Sequence, residues 1–202
     1  MATRRTLHDE YFRKAKREGY AARSAYKLLE INEKKRLIRS GDRVLDLGCA
    51  PGSWMQVAAG LVGERGAVVG VDRNPVKVAL GPNVRSIEAD IYEVAPADLT
   101  SVGGVFDVVL SDMAPNTAGD LGDHFRSVAL CARVLDLAGD ALRPGGNLAM
   151  KVFEGEAYPD LLRRAARAFG VCKGFKPRAS RDVSREMYVV GLGFRGPAEA
   201  AG

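Results

Sequence analysis

Residues 44–54 constrain this chain more than any other stretch. Val44, Leu45 and Leu47, with Asp46 among them, form a short apolar run that predicts a buried strand. The run stops at Gly48, and residues 48–53 carry two glycines and a proline, the composition of a tight loop. Ser53 is placed to cap a helix over residues 54–62 through its side-chain oxygen. Strand, glycine loop and helix N-terminus are how an α/β sheet brings its backbone close to a cofactor. The glycines remove the Cβ atoms that would block approach, and the open N–H groups favour a carboxylate or phosphate.

The spacing discriminates among cofactors. A dinucleotide loop follows G-x-G-x-x-G, whereas here Gly48 and Gly52 are separated by three residues and Asp46 precedes the first by two. An acid followed by a wider loop suits a cofactor with an amino-acid end and no pyrophosphate, such as S-adenosylmethionine: the acid faces an ammonium and the amides face a carboxylate. An ordinary strand–turn–helix corner would show the same pattern, since one fold hosts many functions.

With 202 residues the chain suits one domain with a sizeable core. No apolar run approaches the roughly 18 residues of a membrane span, so a soluble protein without a membrane partner is expected, and the cysteine usage suits a reducing, cytoplasmic setting. The basic N-terminus holds Asp9 and Glu10 and lacks an apolar core, which argues against a signal or transit peptide. Cys49, Cys131 and Cys172 are scattered and odd in number, and only His8 and His124 are present, so neither a disulfide framework nor a metal site is expected. Charge is uneven. Residues 1–40 hold twelve Lys/Arg against five Asp/Glu, or +7, which leaves −2 for the rest of a chain whose net charge is +5. A second block, residues 163–185, carries eight Lys/Arg against Asp182 alone. Two such blocks predict a polyanionic partner, RNA or DNA, although many charge runs are only solvated surface.

Along the chain, residues 1–19 show no clean period and read as a basic N-terminal segment extending to residue 23. Ser24 is placed to cap a helix over 25–37. Apolar strands follow at 67–71, 84–87 and 106–110, then a long helix over 121–142 that ends at Pro144-Gly145-Gly146. A strand over 147–153, a helix over 158–169 and strands over 171–175 and 187–194 complete the pattern. Residues 24–196 thus form one domain, and 197–202 a disordered tail. The alternation predicts an α/β fold: a mostly parallel seven-stranded sheet with one antiparallel strand and helices on both faces. Ligands bind such sheets at the C-terminal strand ends, where Asp46, Asp72, Asp90, Asp112 and Lys151 fall.

Asp72, twenty residues after Gly52, can accept hydrogen bonds from a ribose diol. A helix-capping or surface acid is the alternative for Asp72; Asp90, after the third short strand, could meet an adenine amino group. Trp54 opens the helix beside the loop and could equally be core. Lys151 is the least ordinary residue, a lysine inside an apolar strand that should be central. Burial penalises a charged ammonium, which suits a lysine that must act as a base. Glu186, Asp112 and Lys27 cannot be assembled with it from spacing alone.

Five segments in order resemble the FtsJ/RrmJ family of ribose 2′-O-methyltransferases. They are residues 19–28 (with Tyr26 and Lys27), the loop from Asp46 to Trp54, residues 111–116 (Ser111-Asp112-Met113-Ala114-Pro115-Asn116), residues 151–155 (Lys151-Val152-Phe153-Glu154-Gly155), and residues 176–188 (Lys176-Pro177 to Glu186-Met187-Tyr188). The resemblance covers about residues 10–195. It implies a Rossmann-like class I methyltransferase, with a catalytic Lys-Asp-Lys-Glu tetrad at Lys27, Asp112, Lys151 and Glu186 and contacts to S-adenosylmethionine from Gly52, Trp54, Asp72, Asp90 and Asp112. Ala22 departs from the pattern, since many relatives carry a basic residue there. With no appended domain visible, the chain is similar to the compact bacterial or archaeal type, and the expected substrate is a ribose, a uridine's, in large-subunit ribosomal RNA or the large subunit itself. A monomer is expected.

In that reading Lys151 takes the 2′-hydroxyl proton, Lys27 steadies alkoxide charge, and Asp112 and Glu186 position the two ammonium groups. No metal is required, because the sulfonium is already an activated donor. The alternatives are transfer RNA as substrate, or a non-catalytic RNA-binding assembly factor on the same fold. An amino-directed methyltransferase would place an aromatic after prolines at the end of the fourth strand, and residues 112–116 contain none.

Overall fold

The structure is a computed structural model that describes residues 4–115, 122–180 and 184–197, with side chains from residue 10 onward. Helices α1 (Arg4–Arg17) and α2 (Ala25–Lys35) precede a regular alternation. It runs β1 (Arg43–Leu47), α3 (Ser53–Val62), β2 (Ala67–Asp72), β3 (Val84–Glu88), α4 (Pro96–Gly103), β4 (Phe106–Ser111), α5 (Asp123–Ala141), β5 (Leu142–Phe153), α6 (Tyr158–Ala168), β6 (Phe169–Phe175) and β7 (Glu186–Phe194). The seven strands form one sheet in the order β3-β2-β1-β4-β5-β7-β6. All neighbouring pairs are parallel except those of β7, which runs antiparallel to both β5 and β6. The reversed strand is the one expected, because the described residues between β6 and β7 form no crossover helix.

Strand alternation sorts the core into two layers. On one face Leu45, Leu47, Val69, Val109, Leu148 and Met150 pack against α4, α5 and α6 through Leu99, Cys131, Val134 and Leu161. On the other face Val44, Val108, Leu110, Ala149, Tyr188 and Val190 pack against α2 and α3 through Leu28, Ile31, Trp54 and Met55. Period two therefore also fixes where polar residues on these strands point: Asp46, Lys151 and Tyr188 all share the α2/α3 face.

Four local features differ from the sequence expectation. Residues 4–17 are helical, although the sequence there lacks a clean period. Tyr11 and Ala15, one turn apart, pack with Tyr26 and Ala179, and the Tyr26 hydroxyl donates to Glu18 at 2.8 Å. Tertiary contact thus supplies what two apolar positions cannot. Ser24 stands at the N-cap of α2 but makes no side-chain capping bond, and Gly52, one residue before Ser53, is the N-cap of α3; the two serine hydroxyls hydrogen-bond each other at 2.8 Å. Helix α4, only eight residues long, has no counterpart in the expected pattern. Pro144-Gly145-Gly146 does not separate α5 from β5. It bulges within β5, whose register to β4 jumps from Phe106↔Leu142 to Val108↔Asn147. The expected helix start at residue 121 and all but the first residue of the expected 197–202 tail lie outside the described residues.

Candidate active site

A cavity of about 550 Å³ opens at the C-terminal ends of β1, β2 and β4. Gly48, Ala50, Asp72, Asp90, Asp112 and Met113 are among its walls. Two glycines shape the loop that bounds it. Gly48 has φ +77°, and a Cβ there would fall 1.9 Å from Met113 Cγ. Gly52 has φ +111°, and a Cβ would fall 2.6 Å from Val78 and 2.9 Å from Val76. Both backbone conformation and space therefore demand glycine.

Asp72 is held by the chain around it. Its Oδ2 accepts from Ala50 N at 3.0 Å, and its Oδ1 from Asn74 N at 2.8 Å and Asn74 Nδ2 at 3.1 Å. Asp90 accepts from Tyr92 N at 2.9 Å and faces Arg73 Nη1 at 3.7 Å. Three of the five residues matched to cofactor binding, Asp72, Asp90 and Asp112, thus line the cavity. Gly52 and Trp54 are not among its walls. Gly52 acts through the loop. Trp54 is 2% exposed, donates its Nε1–H to Ser24 O at 2.9 Å, and stacks on Tyr188 at 5.8 Å between centroids.

Asp46 lies on the same side. It is 1% exposed, and neither oxygen has a hydrogen-bond partner among the described residues. Burial, then the charges of Asp112 and Asp72, push its carboxyl well above the ordinary range. The Cys49 thiol is buried and likewise raised, by burial first, so it is no nucleophile. Burial also pushes the Cys131 thiol up to about 12, and its S–H donates to Lys151 O at 3.0 Å.

The tetrad comes from four distant parts of the chain: α2, the end of β4, β5 and the start of β7. Lys151 Nζ lies 3.1 Å from Asp112 Oδ1 and also donates to the Asp112 backbone carbonyl. Lys27 Nζ lies 3.0 Å from Glu186 Oε2. Both lysines are buried, at 4% exposure for Lys27 and 8% for Lys151. Burial alone would raise the Glu186 carboxyl, but the Lys27 ammonium, with help from Lys151 and Ser184, holds it below its ordinary value. Tyr188 joins the two pairs. It faces Lys151 across the β5–β7 register, its hydroxyl donates to Asp112 Oδ1 at 2.5 Å, and Lys27 Nζ sits 5.8 Å from its ring centroid. Burial, then the charge of Asp112 and the hydrogen bond to it, keep the phenol protonated. Sequence reasoning gave Tyr188 no role. Beyond closing the fifth resembling segment, it signals itself by its position two residues after Glu186 on an alternating strand, which puts both side chains on one face.

Fold and cavity together define an α/β methyltransferase domain: a seven-stranded sheet with one reversed strand, and an acid-lined cavity at its C-terminal strand ends. The FtsJ-like methyltransferase family model matches residues 20–194. The chain is 46% identical over 192 residues to the ribosomal RNA large subunit methyltransferase E of Syntrophobacter fumaroxidans, covering 94% of this chain and 98% of that one. It is 48% identical over 190 residues to the protein of the same name from Alkalilimnicola ehrlichii, covering 92% and 90%. A solved structure described as a ribosomal RNA methyltransferase of Plasmodium falciparum superposes with a TM-score of 0.78 at 26% identity, covering 88% of this chain and 100% of that one. This chain belongs to the FtsJ-like methyltransferase family.

Proposed function

We propose that the protein methylates a ribose 2′-hydroxyl of large-subunit ribosomal RNA, using S-adenosylmethionine. The observation that carries this reading is the shared position of Asp112, which is at once a wall of the cavity and the partner of the buried Lys151. A cofactor pocket and a candidate base thus meet at one carboxylate. The relatives' names supply the substrate class, and the basic N-terminal and 163–185 blocks suit a polyanion.

The donor set fits S-adenosylmethionine. The cofactor carries two positive centres, and the cavity offers Asp72, Asp90 and Asp112, with the unpartnered oxygens of Asp46 beside them. Asp72 would hold the ribose diol through its remaining lone pairs, Asp90 the adenine amino group, and Asp46 the ammonium end. When bound, the cofactor supplies an activated methyl group on a sulfonium sulfur. The chain's own work is to place the 2′-hydroxyl and take its proton. Lys151, as the amine, accepts that proton. Asp112 and Tyr188 fix where Lys151 Nζ sits. Lys27, held by Glu186, places positive charge near the oxygen as it loses its proton. Gly52 and Trp54 support the site by shaping the loop and bracing Tyr188.

Transfer of labelled methyl groups to fractionated large-subunit RNA, assembled large subunits and transfer RNA, followed by mapping of the modified ribose, tests the proposal. Label in a 2′-O-methyl nucleotide of the large-subunit RNA is the expected result. Label only in transfer RNA would replace the substrate, and none at all would leave an RNA-binding factor on a methyltransferase fold.

A further inference from the structure

We propose that Phe12 on α1 is a stacking platform for an unpaired RNA base, and that α1 holds single-stranded nucleotides next to the one being modified. This rests on the reading of the chain as an RNA-modifying enzyme and adds the form in which the RNA must be presented.

Helix α1 uses Tyr11 and Ala15 inward, against Tyr26. Phe12 lies outside that contact face and is 60% exposed. A phenyl ring carries no polar group to account for its exposure, and leaving one in water forgoes roughly 1.5–3 kcal/mol of burial. Its surroundings on the helix are basic. Lys16 follows one turn later on the same face, Arg13 and Arg17 continue round the outer surface, and all three are exposed. Lys14 is different: it packs over the Tyr26 ring at 4.7 Å and reaches Glu18 at 4.0 Å, so it belongs to the helix's attachment. An exposed aromatic bordered by exposed cations is what a sequence-tolerant single-strand site requires: a ring for the base and charges for the phosphates. A duplex keeps its bases stacked inside and offers no such face.

The platform is tied to the catalytic centre. Tyr26, which α1 grips through Tyr11 (5.4 Å between centroids) and Glu18, immediately precedes Lys27. Glu30 on α2 accepts hydrogen bonds from Arg178 N and Ala179 N, and Ala179 packs with Ala15 and Tyr26, so these two residues join α1 to the helix that carries Lys27. The other exposed aromatics are placed differently: Tyr92 lines the cofactor cavity, and Phe125 lies against His124 at 3.8 Å.

The test uses the full chain and two fluorescently labelled probes, a single-stranded RNA oligonucleotide and a hairpin that pairs the same sequence, read by anisotropy at one salt concentration. Phe12→Ala should weaken single-strand binding roughly 5- to 100-fold, the range expected for one lost stacking contact, and leave hairpin binding and S-adenosylmethionine affinity unchanged. Phe12→Trp should bind the single strand at least as well as the parent, which also shows that the position tolerates replacement. Phe12→Leu should behave like the alanine variant. Parent-like binding by Phe12→Ala or Phe12→Leu overturns the proposal, as does an equal loss on both probes. The parent's methyl transfer to large-subunit RNA is measured alongside. No transfer with Phe12-dependent binding overturns the enzymatic reading alone; transfer with Phe12-independent binding overturns this one alone.

Discussion

The hydroxyl of Tyr188 donates to Asp112 Oδ1 at 2.5 Å, and that same oxygen lies 3.1 Å from Lys151 Nζ. One carboxylate oxygen is thus divided between a neutral donor and a cation. Whatever negative charge the phenol draws off no longer holds the ammonium, so the hydrogen bond loosens the grip of Asp112 on Lys151 without removing it. Such a compromise suits the proposed role of Lys151, which as a base would have to give up a proton before each turnover.

Tyr188→Phe separates this effect from packing, because only the hydroxyl is lost. Hydrogen bonds to charged groups contribute about 1.5–3 kcal/mol. If part of that is passed to the Lys151–Asp112 pair, single-turnover methyl transfer near neutral pH should slow on the order of 10-fold. Cofactor affinity should hold. An unchanged rate would reduce Tyr188 to a packing residue between Trp54 and Lys27.

Much of the fold was legible because its signals are local. Apolar runs at β1, β2, β4 and β5, broken by Gly and Pro, mark strands whatever surrounds them, and the missing helix before β7 marks the reversal. What was not legible depends on partners distant in sequence. Helix α1 forms against Tyr26 and Ala179, and two serines suited to helix capping bond each other. Lys151 was conspicuous alone, as a lysine in an apolar strand. Its relation to Lys27, Asp112 and Glu186 came only from family resemblance, because sheet topology, and no sequence spacing, brings them together. Tyr188 passed unnoticed since an aromatic on a central strand is ordinary core until its hydroxyl is seen to have a partner.

Asp72→Ala should weaken S-adenosylmethionine binding by about 1–3 kcal/mol, the cost of leaving ribose hydroxyls unpaired. The same carboxylate also anchors Ala50 N and Asn74 N, so the variant's loop should exchange amide hydrogens faster at Ala50 even without cofactor. Calorimetry and hydrogen exchange together separate the two roles. Undiminished affinity would take Asp72 out of the cofactor site.

Asp46 makes a stability prediction with a definite sign. In the unfolded chain its carboxyl ionises at its ordinary value of about 4. In the folded protein burial first, then Asp112 and Asp72, hold it well above that, so the folded state binds the proton more tightly. Stability should therefore fall as pH rises from about 4 toward the folded value. Asp46→Asn removes the titration, and its melting temperature should gain on the parent's as pH is raised from 5 to 8, with each kcal/mol worth about 2–4 °C in a domain of this size. Its cofactor affinity should drop if Asp46 meets the ammonium. A constant difference between the two melting curves over that range would show an ordinary carboxyl.

RNA affinity should be steeply salt-dependent, with part of the slope owed to α1. Arg13, Lys16 and Arg17 are exposed, whereas Lys14 is committed to Tyr26 and Glu18. Replacing the three exposed cations with Ala should flatten the slope of log affinity against log salt by about 2 for a single strand, while Lys14→Ala should chiefly lower stability. A slope as steep as the parent's would mean that α1 touches no phosphate.

Lys151 gives the strictest test of the mechanism. Its ammonium position is fixed by two Asp112 oxygens, one side-chain and one backbone, so replacement should not disturb the cofactor cavity beyond that wall. Lys151→Ala should lower single-turnover methyl transfer by about 10²–10⁴-fold, the usual cost of losing a general base, with S-adenosylmethionine and RNA binding near the parent's. Lys151→Arg keeps the charge and can still pair with Asp112, but a guanidinium stays protonated and cannot accept the 2′-hydroxyl proton. It should therefore rescue little. The two variants divide the possible roles: if charge alone mattered, Arg would restore most of the rate and Ala none. An arginine variant within a few-fold of the parent would assign Lys151 to charge stabilisation and leave proton removal to water or to another member of the tetrad.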